Sequence, residues 1–170
     1  MKRFALILPL LMASPAGAEV VTASPNGFEI RHTVNVTTPP AAAFAAFQKV
    51  DTWWSGEHTY SGKAANLSLS MAPGGCWCEQ LPGGGGIQHM QVIYVDPGKR
   101  VVMTGSLGPL LYLATAGVMD VQFKPVAQGS QVVLNYRAAG FFNGGADKLA
   151  PVVDGVIAEQ VKRFGAAPAR

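Results

Sequence analysis

The chain alternates apolar and polar positions over most of its length and closes on one long amphipathic stretch. Phe28, Ile30, Val34 and Val36 alternate with Glu29, Arg31, Thr33, Asn35 and Thr37. That period of two predicts a half-buried strand. Thr38-Pro39-Pro40 then switches the pattern. Thr38 suits an N-cap and Pro39 a first helical position. Residues 41–47 are therefore expected to form a short Ala-rich helix with Phe44 and Phe47 on its inner side. Asp51 opens a second short turn that carries Trp53 and Trp54. Further strands are expected around Leu67, Leu69 and Met71, and over 76–81, 87–95, 100–105, 118–123 and 131–137. Gly- and Pro-bearing turns separate them, among them Pro73-Gly74-Gly75 and Asp96-Pro97-Gly98. The last element is helical: Leu149, Val152, Val153, Val156, Ile157, Val161 and Phe164 share one face. Lys148, Asp154, Glu159, Lys162 and Arg163 take the other, with Asp147 as the expected cap and Pro151 in the first turn.

A one-faced antiparallel sheet must bury its apolar side, and this helix is the one large element available to cover it. The expected fold is α+β. A curved antiparallel sheet grips a long C-terminal helix, with two short helices after the first strand. Such a sheet leaves a cavity against the helix, where a small molecule fits.

Composition narrows the class. Charged residues make up 14% of the chain, against about 25% in an average soluble domain. The 49% apolar content excludes a disordered chain, and two cysteines exclude a disulfide-rich scaffold. No repeat and no long linker is present, so one domain is expected.

The N-terminus changes the charge picture. Lys2 and Arg3 precede an apolar run over residues 4–12, and Ala16-Gly17-Ala18 fits a signal-peptidase site. The run is too short to span a membrane, which takes about 20 residues. The expected division is a signal peptide over 1–18 cleaved after Ala18, an extension over 19–26, the domain over 27–165 and a disordered tail over 166–170. The mature chain is then periplasmic or secreted. Lys2 and Arg3 supply two of the +3 net charges, so the mature domain has no field for a polyanion. No nucleic-acid partner and no transmembrane segment are expected after the leader is removed.

The strand and helix over residues 28–47, Asp51-Thr52-Trp53-Trp54, and the closing helix over 147–164 resemble the START-like superfamily, also called SRPBCC, with its helix-grip fold. The branch most similar groups heat-shock chaperone ATPase activators with polyketide cyclase/dehydrase-type proteins. The resemblance implies a small hydrophobic or amphipathic ligand, as in the lipid carriers of the superfamily, with no cofactor. It does not choose between carrier and enzyme. A secreted location speaks against the chaperone role.

Several residue groups could carry chemistry. Trp53, Trp54, Glu57, His58 and Tyr60 lie close together in an expected loop over one end of the cavity. His58 and Tyr60 are the candidate acid/base pair for a cyclase or dehydratase. The bland alternative is a loop pinned by its indoles, with His58 solvated. A third possibility, a partner-binding loop, requires an exposed patch around Trp53 and Trp54. Cys76 and Cys78 flank Trp77. In an extended strand their Cα atoms lie about 6.6 Å apart, which favours two unbridged thiols over a strained disulfide. A metal site is weaker still, for the spacing is wrong. If Leu81 pairs with Ile87, Glu79 and His89 share the Trp77 face, and that register puts His89 on the outside of the sheet. A slip of one residue would bring His89 beside Cys78 instead. His32 sits on an apolar strand face and is expected to be a hydrogen-bonded core histidine. Gly83 to Gly86 form a hairpin tip that could act as a lid. Gly155, in mid-helix, leaves room for the sheet or a ligand, or is simply tolerated. The candidate ligand-facing set is Trp53, Trp54, His58, Tyr60, Cys76, Cys78, Met90 and Gly155, with no metal ligand.

Overall fold

The computed structural model describes residues 18–167. The leader expected over 1–18 lies outside them, save for Ala18, as do residues 168–170 of the expected tail. The chain forms strands β1 (Ala18–Ser24) and β2 (Gly27–Val36), helices α1 (Pro40–Gln48) and α2 (Val50–Trp53), and strands β3 (Leu67–Leu69), β4 (Cys76–Gln80), β5 (Gly86–Asp96), β6 (Arg100–Thr104), β7 (Thr115–Val126) and β8 (Gly129–Gly140). Helix α3 (Ala146–Ala166) ends it. The eight strands form one antiparallel sheet in the order β1-β2-β8-β7-β6-β5-β4-β3. This is the expected α+β architecture: a curved sheet with a long C-terminal helix. The stretch read as an extension is strand β1, hydrogen-bonded to β2, so the two short helices follow the second strand rather than the first.

Register follows from which face is apolar. In the β2–β8 pair, Phe28 opposes Ala138, Ile30 opposes Tyr136 and Val34 opposes Val132. The intervening positions hold polar pairs on the outer face. Arg137 donates to Glu29 at 2.8 Å, and Arg31 donates to Asn135 at 2.7 Å. A slip of one residue would bury those charges, so the pairing is strongly specified. The same logic runs through β7. Met119, Val121 and Phe123 are buried, while Asp120 takes a two-pronged bond from Arg100 of β6, both contacts at 2.8 Å.

Helix α3 lies against β1 and β2, and Ala150, Ile157, Gln160 and Phe164 are among its buried side chains. Its cap differs from expectation. Gly145, with φ of 97°, precedes the first turn, and Asp147 makes no capping bond. The α1 boundary also moves by one residue, with Pro39 at the cap and Pro40 first in the helix. Asp154 does not belong to the outer face of α3. Its Oδ1 lies 2.9 Å from Nε2 of buried His32 on β2. The two atoms are in contact but misaligned for a hydrogen bond, so the hydrogen-bonded core histidine expected here has an unbonded carboxylate neighbour instead.

An aromatic cluster fills the space under α3. Phe47 of α1 packs on Trp53, Trp77, Phe123 and Phe164 with ring centroids 5.1 to 6.5 Å apart. Such contacts contribute about 0.5–1.5 kcal/mol each beyond area burial. They fix the end of α2 and the loop after it, which is where the site lies. No helix among the described residues is long and apolar enough to cross a membrane.

Candidate functional site

A cavity of about 380 Å³ lies between α3, the loop after α2, and strands β4 and β5. Leu149, Val153, Val156 and Ile157 of α3 form one wall. Trp54, Trp77, Leu67 and Leu110 face them. Tyr112 and Val152 also line it and are 75% and 63% exposed, so the cavity opens to solvent on their side. The third wall is a 3-10 turn, Gly108–Tyr112. Its start is held by Tyr136, whose buried hydroxyl accepts the Leu107 N–H at 3.2 Å. Burial pushes that phenol up to about 12, so it stays protonated.

The loop after α2 is pinned from several sides. Trp53 Nε1 donates to Phe47 O at 3.1 Å, and Trp54 Nε1 donates to His58 O at 2.9 Å. From α3, Gln160 Oε1 accepts the Ser55 N–H at 2.7 Å, and Arg163 Nε donates to Trp53 O at 2.9 Å. His58 is not simply solvated, for its Nε2 lies 3.0 Å from Glu159 of α3. Tyr60 donates its hydroxyl to Gly108 O at 2.7 Å. Burial, then neighbouring Tyr112, push the Tyr60 phenol above its ordinary value. Trp53 and Trp54 are buried, at 3% and 7% exposure, so the exposed patch that a partner-binding loop requires is absent there.

The buried polar end of the cavity is a carboxylate–imidazole pair. Glu79 of β4 is 1% exposed and His89 of β5 is 7% exposed. Glu79 Oε2 lies 2.9 Å from His89 Nε2 and accepts the Tyr60 N–H at 3.1 Å. Its Oε1 accepts the Ser61 N–H at 2.5 Å. Burial alone would raise this carboxyl. The bonds from Ser61, Tyr60 and His89 together outweigh it and hold the group below the usual carboxylate range.

His89 was expected on the outside of the sheet, and the structure corrects this. The pairing runs Trp77 with Met90 and then Cys78 with Gln88, which leaves His89 as the extra residue of a β-bulge. A bulge breaks strict alternation, so His89 and Met90 both turn inward. Glu79 and His89 do share a face with Trp77, but that face lines the cavity.

Cys76 and Cys78 form a disulfide with a Cα–Cα separation of 5.3 Å. The expectation of unbridged thiols assumed an extended strand with about 6.6 Å between these atoms. The irregular β4–β5 pairing beside Cys78 removes that premise. Alternation about buried Trp77 and Glu79 puts both cysteines on the outer face.

No protein-family model and no curated protein matches this chain. Solved structures do. A protein of Rhizobium leguminosarum superposes with a TM-score of 0.60 at 16% identity, over 90% of this chain and 97% of its own. A protein of Rhizobium loti gives 0.58 at 21% identity, over 82% and 94%. The di-domain ARO/CYC StfQ from the steffimycin biosynthetic pathway gives 0.56 at 16% identity, over 84% of this chain and 51% of that one. Identities this low speak for the fold alone. The chain is a helix grip.

Within this helix grip, the candidate residues separate into two groups. Trp54, His58 and Tyr60 line the cavity. Trp53 stands behind them, 5.1 Å from Phe47 and 5.4 Å from Phe164 between ring centroids. Met90 is wholly buried in the core, and Cys76 and Cys78 lie on the far side of the sheet. Gly155 is exposed, and a Cβ there would meet nothing within 4 Å. The glycine-rich tip over 83–86 is absent from the cavity lining. The sequence reading missed Trp77, His89 and Tyr112 as lining residues. Glu79 was visible as a partner of His89, but no periodic signal announces a bulge.

Proposed function

We propose that this helix grip binds a small, largely apolar, uncharged ligand in the cavity, as a periplasmic or secreted protein. The cavity carries the reading. Its volume of about 380 Å³ falls in the range of small-molecule sites, about 300–1,000 Å³. Its walls are aliphatic and aromatic, and the polar groups gather at the His89 and Tyr60 side. Exposed Glu57 is the one Asp, Glu, Lys or Arg side chain in the lining among the described residues. An anionic ligand would find no opposite charge in the lining, and the one buried carboxylate beside it, Glu79, is already taken up by His89, Tyr60 and Ser61. The leader pattern and the Cys76–Cys78 disulfide support an oxidising compartment.

A neutral fluorescent probe, N-phenyl-1-naphthylamine, tests the site. Its emission should rise on the mature protein and fall when Val156→Trp fills the cavity. No rise with the wild type, together with no ligand released on organic extraction, rejects the carrier. A mature N-terminus at Glu19 in periplasmic extract checks the compartment.

The second reading is a cyclase or dehydratase acting through His58 and Tyr60. Both line the cavity, as that chemistry requires, and StfQ is an ARO/CYC protein by description. Against it, Glu159 holds His58 and the Tyr60 hydroxyl is spent on Gly108. The carrier reading asks less of these residues. Recovery of a bound ligand chemically unchanged favours the carrier, and turnover lost in His58→Gln favours the enzyme.

A further inference from the structure

The hydrogen bonds around Glu79 decide which nitrogen of His89 carries the proton. Both carboxylate oxygens accept backbone N–H groups, Oε2 from Tyr60 and Oε1 from Ser61. An ionised carboxylate only accepts. The proton on the 2.9 Å contact with His89 therefore belongs to Nε2 of the imidazole. In a neutral ring, Nδ1 is then a bare acceptor. Among the described residues nothing bonds Nδ1, yet it is not among the sealed, unpartnered atoms. His89 is almost wholly buried and lines the cavity, so the opening on Nδ1 is the cavity.

The other polar side chains are occupied or exposed. Tyr60 donates to Gly108 O, Thr59 Oγ1 donates to Gly56 O, and His58 is held by Glu159. Tyr112 and Glu57 face solvent. With the His89 ring neutral, the buried end of an otherwise apolar cavity thus offers acceptors and no free donor, and His89 Nδ1 is the acceptor carried by the most buried of these side chains.

We infer that the cavity selects an apolar ligand carrying one hydroxyl donor, an alcohol or phenol, whose O–H bonds His89 Nδ1 while Glu79 holds Nε2–H. This rests on the cavity reading above and adds the ligand's chemical class. A carboxylate or a plain ketone would set acceptor against acceptor. A hydrocarbon or ether would leave Nδ1 unpaired out of water. Glu79 is a positioning residue here, for it acts through His89.

Two matched probes test this: 2-naphthol and 2-methoxynaphthalene, titrated against the mature protein by tryptophan fluorescence, since Trp54 and Trp77 line the cavity. The naphthol should bind at least about tenfold more tightly, as expected for leaving a buried acceptor unpaired with the ether. In His89→Phe no acceptor is left for the ether to strand, so the ether should bind more tightly than to the wild type and the preference should fall to within about twofold. Equal binding by the wild type overturns the inference and leaves the cavity reading standing. Binding of neither overturns both. The nitrogen-15 shifts of the His89 ring give a check that needs no variant: the Nε2–H tautomer is expected, and Nδ1–H overturns the inference.

Discussion

The indoles of Trp54 and Trp77 meet edge to face, 4.9 Å between ring centroids and 87° between planes. One comes from the loop after α2 and the other from β4, so the contact ties the cavity's loop to the sheet. Trp77 is also 1% exposed and packs on Trp53 and Phe47. Trp77→Ala should therefore cost about 3–5 kcal/mol of folding stability. Urea unfolding followed by far-UV circular dichroism measures it. A loss below about 1 kcal/mol would mean that the cluster does not hold the loop.

The strands and the closing helix were legible because each buries one face, and periods of two and 3.6 are direct readouts of that. Phe28 and Ile30 on β2, and Ile157 and Phe164 on α3, are buried as the pattern requires. The site was less legible for three physical reasons. A bulge adds one residue to β5 and reverses His89 without altering any local propensity. The disulfide depends on a Cα separation of 5.3 Å that a regular strand does not supply. Tyr112 reaches the cavity through a 3-10 turn set by distant Tyr136, a contact with no local periodicity.

The Cys76–Cys78 bond closes a very small loop. In the chain-entropy account so short a closure contributes only about 1–2 kcal/mol. The paired substitution Cys76→Ser and Cys78→Ser should lower stability by that amount and leave probe binding unchanged, because both sulfurs face away from the cavity. Intact-mass measurement after alkylation of the denatured, unreduced protein should find no modified thiol. Two alkylated cysteines would mean that the chain folds without the bridge.

Acid sensitivity should trace in part to His32. Burial lowers its pKa below 6.5, more than nearby Asp154 raises it. The unfolded chain then takes up this proton at higher pH than the folded one. The stabilisation is complete above about pH 6.5, the unfolded value, and is lost as the pH falls through the lower folded value. Urea midpoints taken at about pH 7.5 and about pH 5 should drop for the wild type, and less for His32→Gln. Equal drops in the two proteins would assign the acid sensitivity to other groups.

Two glycines of α3 should respond oppositely to the same change. At Gly155 a Cβ would meet nothing within 4 Å, and the position is exposed. Alanine there gains helix propensity with no steric cost, so Gly155→Ala should stabilise by about 1 kcal/mol. Its position outside the cavity lining means that probe affinity should not move. At Gly165 a Cβ would run into the Val34 side chain of β2. The close approach of α3 to β2 depends on the missing methylene, so Gly165→Ala should lower the melting temperature despite the same gain in propensity. Thermal melts of the two single variants decide it. If Gly155→Ala weakened probe binding, the helix would be placed differently over the cavity; if both variants melted higher, α3 would not approach β2 so closely at its end.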